Sequence, residues 1–221
     1  MSLPKPYYED EEHGIVIYNA DCRDILPHLP KVDLLLTDPP YGIGEHGGKC
    51  RTRGKPIPNH VSMGWDNATP ATQVFEMMFS RSDHQLIWGG NYFTDKGLPP
   101  KMGWLYWDKC MGGDFSDGEL AFTSRDSALK AITLPRSSFG NEHPTQKPLA
   151  LMLWCLGFFP KAQTVLDPFM GSGTTLVACK QLGRHCIGIE IEESYCEIAA
   201  KRLSQGMLFG QEELAQIGGG K

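Results

Sequence analysis

Four consecutive residues, Asp38-Pro39-Pro40-Tyr41, join a carboxylate, two rigid imino acids and an aromatic ring, and they follow the apolar run Val32-Asp33-Leu34-Leu35-Leu36-Thr37. A buried strand ending there delivers all of these groups to one point at a sheet's edge. The combination suits a flat base that bears an amine. An exocyclic amine has two N–H donors; if the Asp38 carboxylate accepts one and a backbone carbonyl the other, the nitrogen lone pair is left facing an electrophile. Pro39 and Pro40 fix φ and lack an N–H, so the backbone beside Asp38 is stiff and rich in acceptors. Tyr41 offers a stacking surface, worth roughly 1–3 kcal/mol per base. As plain structure, the same residues would be a strand ending in a Pro-Pro turn.

A second constellation lies far along the chain. Thr164-Val165-Leu166-Asp167-Pro168-Phe169-Met170-Gly171-Ser172-Gly173-Thr174-Thr175 reads as a short buried strand, a glycine turn and a helix start. Glycines there let the backbone approach a ligand closely. The next strand, His185-Cys186-Ile187-Gly188-Ile189, ends in Glu190, 17 residues after Gly173. An acid at about that distance is how α/β nucleotide folds hold ribose hydroxyls. No third glycine completes G-x-G-x-x-G, and no lysine follows Gly173 as a Walker loop requires. The turn therefore suits a nucleoside without a pyrophosphate, such as S-adenosylmethionine.

These residues resemble the amino-methylating DNA methyltransferases. Asp38-Pro39-Pro40-Tyr41 looks like their catalytic tetrapeptide, Asp167-Pro168-Phe169-Met170-Gly171-Ser172-Gly173-Thr174 like their cofactor loop, and His143-Pro144-Thr145-Gln146-Lys147-Pro148 like the segment opening their first helix. The catalytic motif precedes the cofactor loop, which is the order of the permuted class called beta, and the resemblance runs from about Ile15 to Leu203. It implies S-adenosylmethionine as cofactor, DNA as substrate and a flipped-out base, in an enzyme of the restriction-modification type. Asp38 in place of a serine leans towards N6 of adenine; N4 of cytosine and an RNA amine remain the alternatives. The resemblance also assigns Ile15 to Cys22 to the strand that brings Asp21, Cys22 and nearby backbone to the cofactor's adenine. Asp21 equally reads as the N-cap of the next helix.

Thr145 reads as an N-cap and Pro148 as an early-turn proline before the apolar stretch from Leu149 to Phe159, so a helix N-terminus is expected there. With His143, Gln146 and Lys147 beside it, that end would take the carboxylate of the cofactor's methionine part.

The elements that must position these groups follow from periodicity. Strands are expected near Ile15–Asn19, Leu34–Thr37, Gln85–Trp88, Trp104–Trp107, Leu120–Thr123, Val165–Leu166 and Cys186–Ile189, and helices near Cys22–His28, Thr72–Ser80, Pro148–Phe158, Thr174–Leu182 and Ser194–Ser204. That alternation predicts an α/β fold: a seven-stranded, doubly wound, Rossmann-like sheet with permuted motif order and an antiparallel hairpin of the Trp104 and Leu120 strands at one edge. A chain of 221 residues with 41% hydrophobic content fits a single domain, 1–221. No apolar stretch is long enough to span a bilayer and the N-terminus lacks a signal-peptide core, so an intracellular, cytoplasmic protein is expected. The seven cysteines are scattered without a C-x-x-C pair, which indicates neither a disulfide framework nor a metal site.

A net charge of −5 argues against a polyanionic partner, but its distribution does not. Lys49, Arg51, Arg53 and Lys55 face only Glu45 within 42–62, directly after Tyr41, and are the candidates for phosphate contact in a mobile, glycine-rich loop spanning 42–66. Only Asp126 to Glu142 is left for target recognition. Specificity must then come from short loops, a short target or a second subunit, so a homodimer is one expectation. The tail, 210–221, is expected to be flexible.

Overall fold

The computed structural model describes residues 3–43, 68–110, 116–135 and 147–205. Nine strands form one sheet: β1 (Tyr8–Asp10), β2 (Ile15–Asn19), β3 (Val32–Thr37), β4 (Ser82–Trp88), β5 (Trp104–Asp108), β6 (Gly118–Thr123), β7 (Lys130–Thr133), β8 (Thr164–Asp167) and β9 (His185–Glu190), in the spatial order β1-β2-β9-β8-β3-β4-β6-β5-β7. The five strands β2, β9, β8, β3 and β4 run parallel, β6 is antiparallel to β4, and β5 and β6 make an antiparallel hairpin. The seven expected strands are all present within the sheet.

Two features differ from expectation. β1 adds an antiparallel strand outside β2, and β7 adds a parallel strand outside β5, so the hairpin is not the edge of the sheet. β7 also occupies residues assigned to the short recognition segment, which is correspondingly reduced. Neither strand carries an apolar alternation: Tyr8-Glu9-Asp10 and Lys130-Ala131-Ile132-Thr133 are held by backbone pairing to a neighbour, and their side chains are mostly exposed or half-buried.

The central strands are apolar on both faces because helices cover both. Leu34 and Leu36 of β3 point into a core shared with α3 (Leu149–Gly157), α4 (Thr174–Gln181) and α5 (Glu193–Ser204). Leu35, one residue between them, points to the opposite core with α1 (Cys22–Ile25) and α2 (Thr72–Ser80). The period of two thus places α3, α4 and α5 on one side of the sheet and α1 and α2 on the other. β3 leads to β4 in one direction and β8 to β9 in the other, so the order reverses between β3 and β8. Ligands of open α/β sheets bind at such a switch point, outside the carboxyl ends of the strands.

α3 begins at Leu149 with Pro148 at the N-cap and no side-chain cap. The expected cap, Thr145, lies three residues upstream and outside the described residues. The proline supplies the extended φ and ψ of a cap position but no side-chain acceptor.

Candidate active site

The four adjacent parallel strands β2, β9, β8 and β3 each end in or just before an acid: Asp21, Glu190, Asp167 and Asp38. Register explains the alignment, since Asn19 pairs with Glu190 and Asp167 with Gly188. The Asn19 amide ties the ends together by donating to the carbonyls of Glu190 and Ile191, both at 3.0 Å. A second tie joins the two motifs read from sequence: the Thr37 hydroxyl, one residue before Asp38, donates to Asp167 at 2.8 Å.

Glu190 closes the glycine turn from the next strand. Its carboxylate accepts the backbone N–H of Gly171 at 3.0 Å and of Glu192 at 2.9 Å, leaving lone pairs on both oxygens. The two glycines of the turn do different work. Gly173 has φ +78°, and a Cβ there would lie 2.7 Å from the Ala199 Cβ, so glycine is required for α4 to pack on α5. Gly171 has φ +50°, but a Cβ there would meet no heavy atom within 4 Å, so the turn borders open space on that side. Gly173→Ala is therefore expected to cost about 2–5 kcal/mol in urea unfolding, from left-handed strain and overpacking. Gly171→Ala is expected to cost only about 1–2 kcal/mol of stability and to weaken the binding of any ligand seated on the turn.

Ser172 and Thr174 are buried, and their hydroxyls lie 3.2 Å from the guanidinium of Arg202 on α5, which also donates to the Ser172 carbonyl at 2.5 Å. They hold the turn in shape from within. Pro168 and Phe169 follow β8, where the Phe169 N–H donates to Asp167 at 3.2 Å.

Burial pushes the Asp167 carboxyl up to about 6, against hydrogen bonds from Thr175, Thr37 and the Phe169 N–H. Burial likewise raises Glu190 to about 6, against its backbone donors. Raised carboxyls favour the protonated folded state, so their contribution to stability is complete below the ordinary carboxyl range. It is lost as pH rises through about 6, by about 2–3 kcal/mol each. A bound cation would offset that cost.

At the other end of the site, Asp21 caps α1, accepting the Arg23 N–H at 2.9 Å and pairing with its guanidinium at 2.5 Å. Cys22 beside it is buried, and burial drives its thiol up to about 12. Six described cysteines are free thiols, five of them buried.

The tetrapeptide leaves β3 with Pro39 buried and Asp38 part-exposed. Tyr41 packs on Gly89, whose φ is +68° and whose Cβ would lie 2.1 Å from the ring, and stacks with Tyr92 at a centroid distance of 4.9 Å and an interplanar angle of 12°. Its hydroxyl donates to Asp38 Oδ1 at 2.6 Å. Burial, with Asp38 and Glu119 nearby, keeps that hydroxyl a phenol well above its usual range.

Lys147, expected at a carboxylate of the cofactor, has its ammonium paired with Asp38 Oδ2 and 3.1 Å from Glu119 Oε2. A lysine side chain only 9% exposed needs carboxylates beside it. Glu119 on β6, Lys109 and Tyr92 carry no motif and were not foreseen. His143, Thr145 and Gln146, and the cations Lys49, Arg51, Arg53 and Lys55, lie outside the described residues.

A mostly parallel sheet with a glycine turn and a row of acids at its switch point defines an α/β protein for a nucleoside-like ligand. Comparison with known proteins agrees with that class and narrows it. Residues 94–201 match the N6/N4 methyltransferase family, described as DNA methylase. The type II methyltransferase M2.LlaDCHI of Lactococcus lactis subsp. cremoris is 26% identical, with 94% of this chain and 95% of that protein covered. M2.DpnII of Streptococcus pneumoniae is 31% identical, with 74% and 57% covered. Among solved structures, M1.HpyAVI superimposes with a TM-score of 0.57 at 24% identity, covering 86% of this chain and 98% of that one. The cytosine-N4-specific PvuII DNA methyltransferase shares the fold with a TM-score of 0.57 at 14% identity. The chain belongs to the amino-directed DNA methyltransferases.

Proposed function

We propose that this chain transfers a methyl group from S-adenosylmethionine to the N6 amine of an adenine flipped out of DNA, as a single intracellular domain of the restriction-modification type. The observation that carries the reading is the link from Thr37 to Asp167, which fixes the amine-accepting tetrapeptide beside the glycine turn. A solved relative, 25% identical with a TM-score of 0.54, is the complex of M1.HpyAVI with SAM.

The residues present fit that cofactor. Open space over Gly171 leaves room for a nucleoside, and the Glu190 carboxylate keeps lone pairs for ribose hydroxyls. Buried acids at Asp167 and Glu190 favour a cation over a pyrophosphate. Asp21 and Cys22 border the adenine end in this reading, and His143, Thr145 and Gln146 serve the methionine end. When bound, the cofactor supplies an electrophilic methyl whose C–S bond pair leaves with sulfur. The amine nitrogen forms the new N–C bond and then gives up one proton to solvent past Asp38. Asp38 accepts one amine N–H and a backbone carbonyl of the Asp38-Pro39-Pro40 segment the other, which turns the lone pair towards that methyl. Base flipping brings the amine within reach. The face of Tyr41 that Tyr92 covers is the face a base would use, so Tyr92, 43% exposed, yields its place on base entry. No covalent enzyme nucleophile takes part.

Asp38, where a serine would lean towards cytosine, favours adenine over N4 of cytosine. The test is methyl incorporation from labelled cofactor into duplex DNA, single-stranded DNA and RNA; duplex DNA is expected to be the best substrate, and incorporation confined to RNA would overturn the reading. The four cations Lys49, Arg51, Arg53 and Lys55 are proposed to meet phosphates. Each contact contributes roughly 0.9 to the slope of log affinity against log salt. A variant with all four changed to alanine is expected to flatten that slope by about 3–4 in a filter-binding titration, with cofactor affinity unchanged.

A further inference from the structure

Beside the tetrapeptide lies a chain of alternating charges, two of whose members, Glu119 and Lys109, no motif reading assigns. Asp38 Oδ2 pairs with Lys147, Lys147 lies 3.1 Å from Glu119 Oε2, and Glu119 Oε1 pairs with Lys109. The members come from four places: the end of β3, the segment just before α3, β6, and the residue just after β5. Three of the four are largely buried, with Lys147 9%, Lys109 12% and Glu119 21% exposed, while Asp38 is 34% exposed. Resting on the function proposed above, we infer that Glu119, anchored by Lys109, is a positioning residue for Asp38: it shares Lys147 with the catalytic carboxylate, so that Asp38 keeps an acceptor for the target amine and the pocket stays electrically neutral.

The geometry gives the reason. Both oxygens of Asp38 are engaged at rest, Oδ1 by the Tyr41 hydroxyl and Oδ2 by Lys147. A lysine ammonium has three N–H donors, and here they meet Asp38, Glu119 and, at 3.4 Å, the Tyr41 oxygen. Aromatic rings lie on other sides, with the ammonium 5.5 Å from the Trp88 centroid and 5.8 Å from that of Tyr41. Without Glu119, the lysine would have Asp38 as its sole carboxylate and would bind across the oxygen that must accept the amine. Charge counts in the same direction. Two carboxylates and two ammoniums balance; removing one carboxylate leaves a net positive site just where methyl transfer puts positive charge on the amine nitrogen. Glu119 is fit for the role because it stays ionised: burial would raise its carboxyl, but Lys147 and Lys109 outweigh burial and hold it well below the usual carboxylate range. Lys147 likewise stays charged, with Asp38 and Glu119 outweighing its burial.

Glu119→Gln keeps the shape and removes the charge. Its kcat for methyl transfer to duplex genomic DNA is expected to fall about 100-fold, with the dissociation constant for S-adenosylmethionine changed less than about threefold. The double variant E119Q/K109M restores neutrality and is expected to regain at least about tenfold of that loss. A merely structural Glu119 predicts the opposite, a double variant no better than the single one, and that result would overturn the inference. The double variant leaves one ammonium, Lys147, paired with one carboxylate, Asp38, so it carries the test even where E119Q is too unstable to purify; there, a folded double variant as inactive as D38A overturns the inference. Trace acetylation of Lys147, read by mass spectrometry, needs no turnover. Its rate is expected to rise severalfold in E119Q, because the ammonium has lost one of its two carboxylates, and an unchanged rate would contradict the shared lysine. A wild-type protein that methylates no nucleic acid would sink the proposed function, while the acetylation rates would still decide whether Lys147 is shared.

Discussion

Asp38→Ala is expected to reduce methyl transfer by at least about 1000-fold while leaving S-adenosylmethionine affinity within about threefold of wild type. The carboxylate is the acceptor that turns the amine lone pair outward, so its loss removes an interaction made fully only as the N–C bond forms. Cofactor affinity is spared because the glycine turn is held by other groups. Glu190 binds the Gly171 N–H, Arg202 binds Ser172 and Thr174, and Thr37 still reaches Asp167. The folded state is also spared, since Lys147 keeps Glu119 as a partner. Single-turnover kinetics and calorimetric cofactor titration on the same preparation make the comparison. A D38A protein with near-normal turnover would remove Asp38 from the mechanism.

The second large effect belongs to Glu190. Glu190→Ala takes away the acceptors of two backbone N–H groups and the proposed ribose contacts together, and is expected to weaken cofactor binding about 100- to 1000-fold. The pH dependence has a sign of its own. Glu190 sits at about 6 because of its burial, and the ribose hydroxyls and the sulfonium both favour its ionised form. Affinity is therefore expected to fall as pH drops from 7 to 5, with protons released on binding near pH 6. Glu190→Gln is expected to show a shallower fall, with Asp167 supplying what remains. Calorimetry in buffers of different ionisation enthalpy measures the proton release directly, and wild-type binding that is flat between pH 5 and 7 would count against both acids.

Most of the fold was legible because the central strands carry their own signal. β3 is apolar on successive residues as a strand buried on both faces must be, and the helices α2, α4 and α5 were placed to within a residue at each end. β1 and β7 were not legible, since they are short, pair with a neighbour's free backbone groups and each pack a single large apolar side chain, Tyr8 or Ile132, on the core, too little for a periodic signal. The site divides in the same way. Asp38 to Tyr41 and Asp167 to Thr174 are contiguous, so their chemistry can be read from adjacent letters. Glu119, Lys109 and Tyr92 stand alone in sequence, and only the pairing of β5 with β6 and the turn after β4 bring Glu119 and Lys109 to Lys147 and Tyr92 to Tyr41. Lys147 shows the limit most clearly. Its motif was recognised, but which carboxylate it meets depends on where β6 lies in the sheet.

The measurement closest to the central claim is mass spectrometry of nucleosides from duplex DNA incubated with the protein and methyl-labelled S-adenosylmethionine. Labelled N6-methyladenine is expected with wild type and none above background with D38A. Label found solely in N4-methylcytosine would contradict the adenine assignment, and no label in any amine would contradict amine methylation by this site.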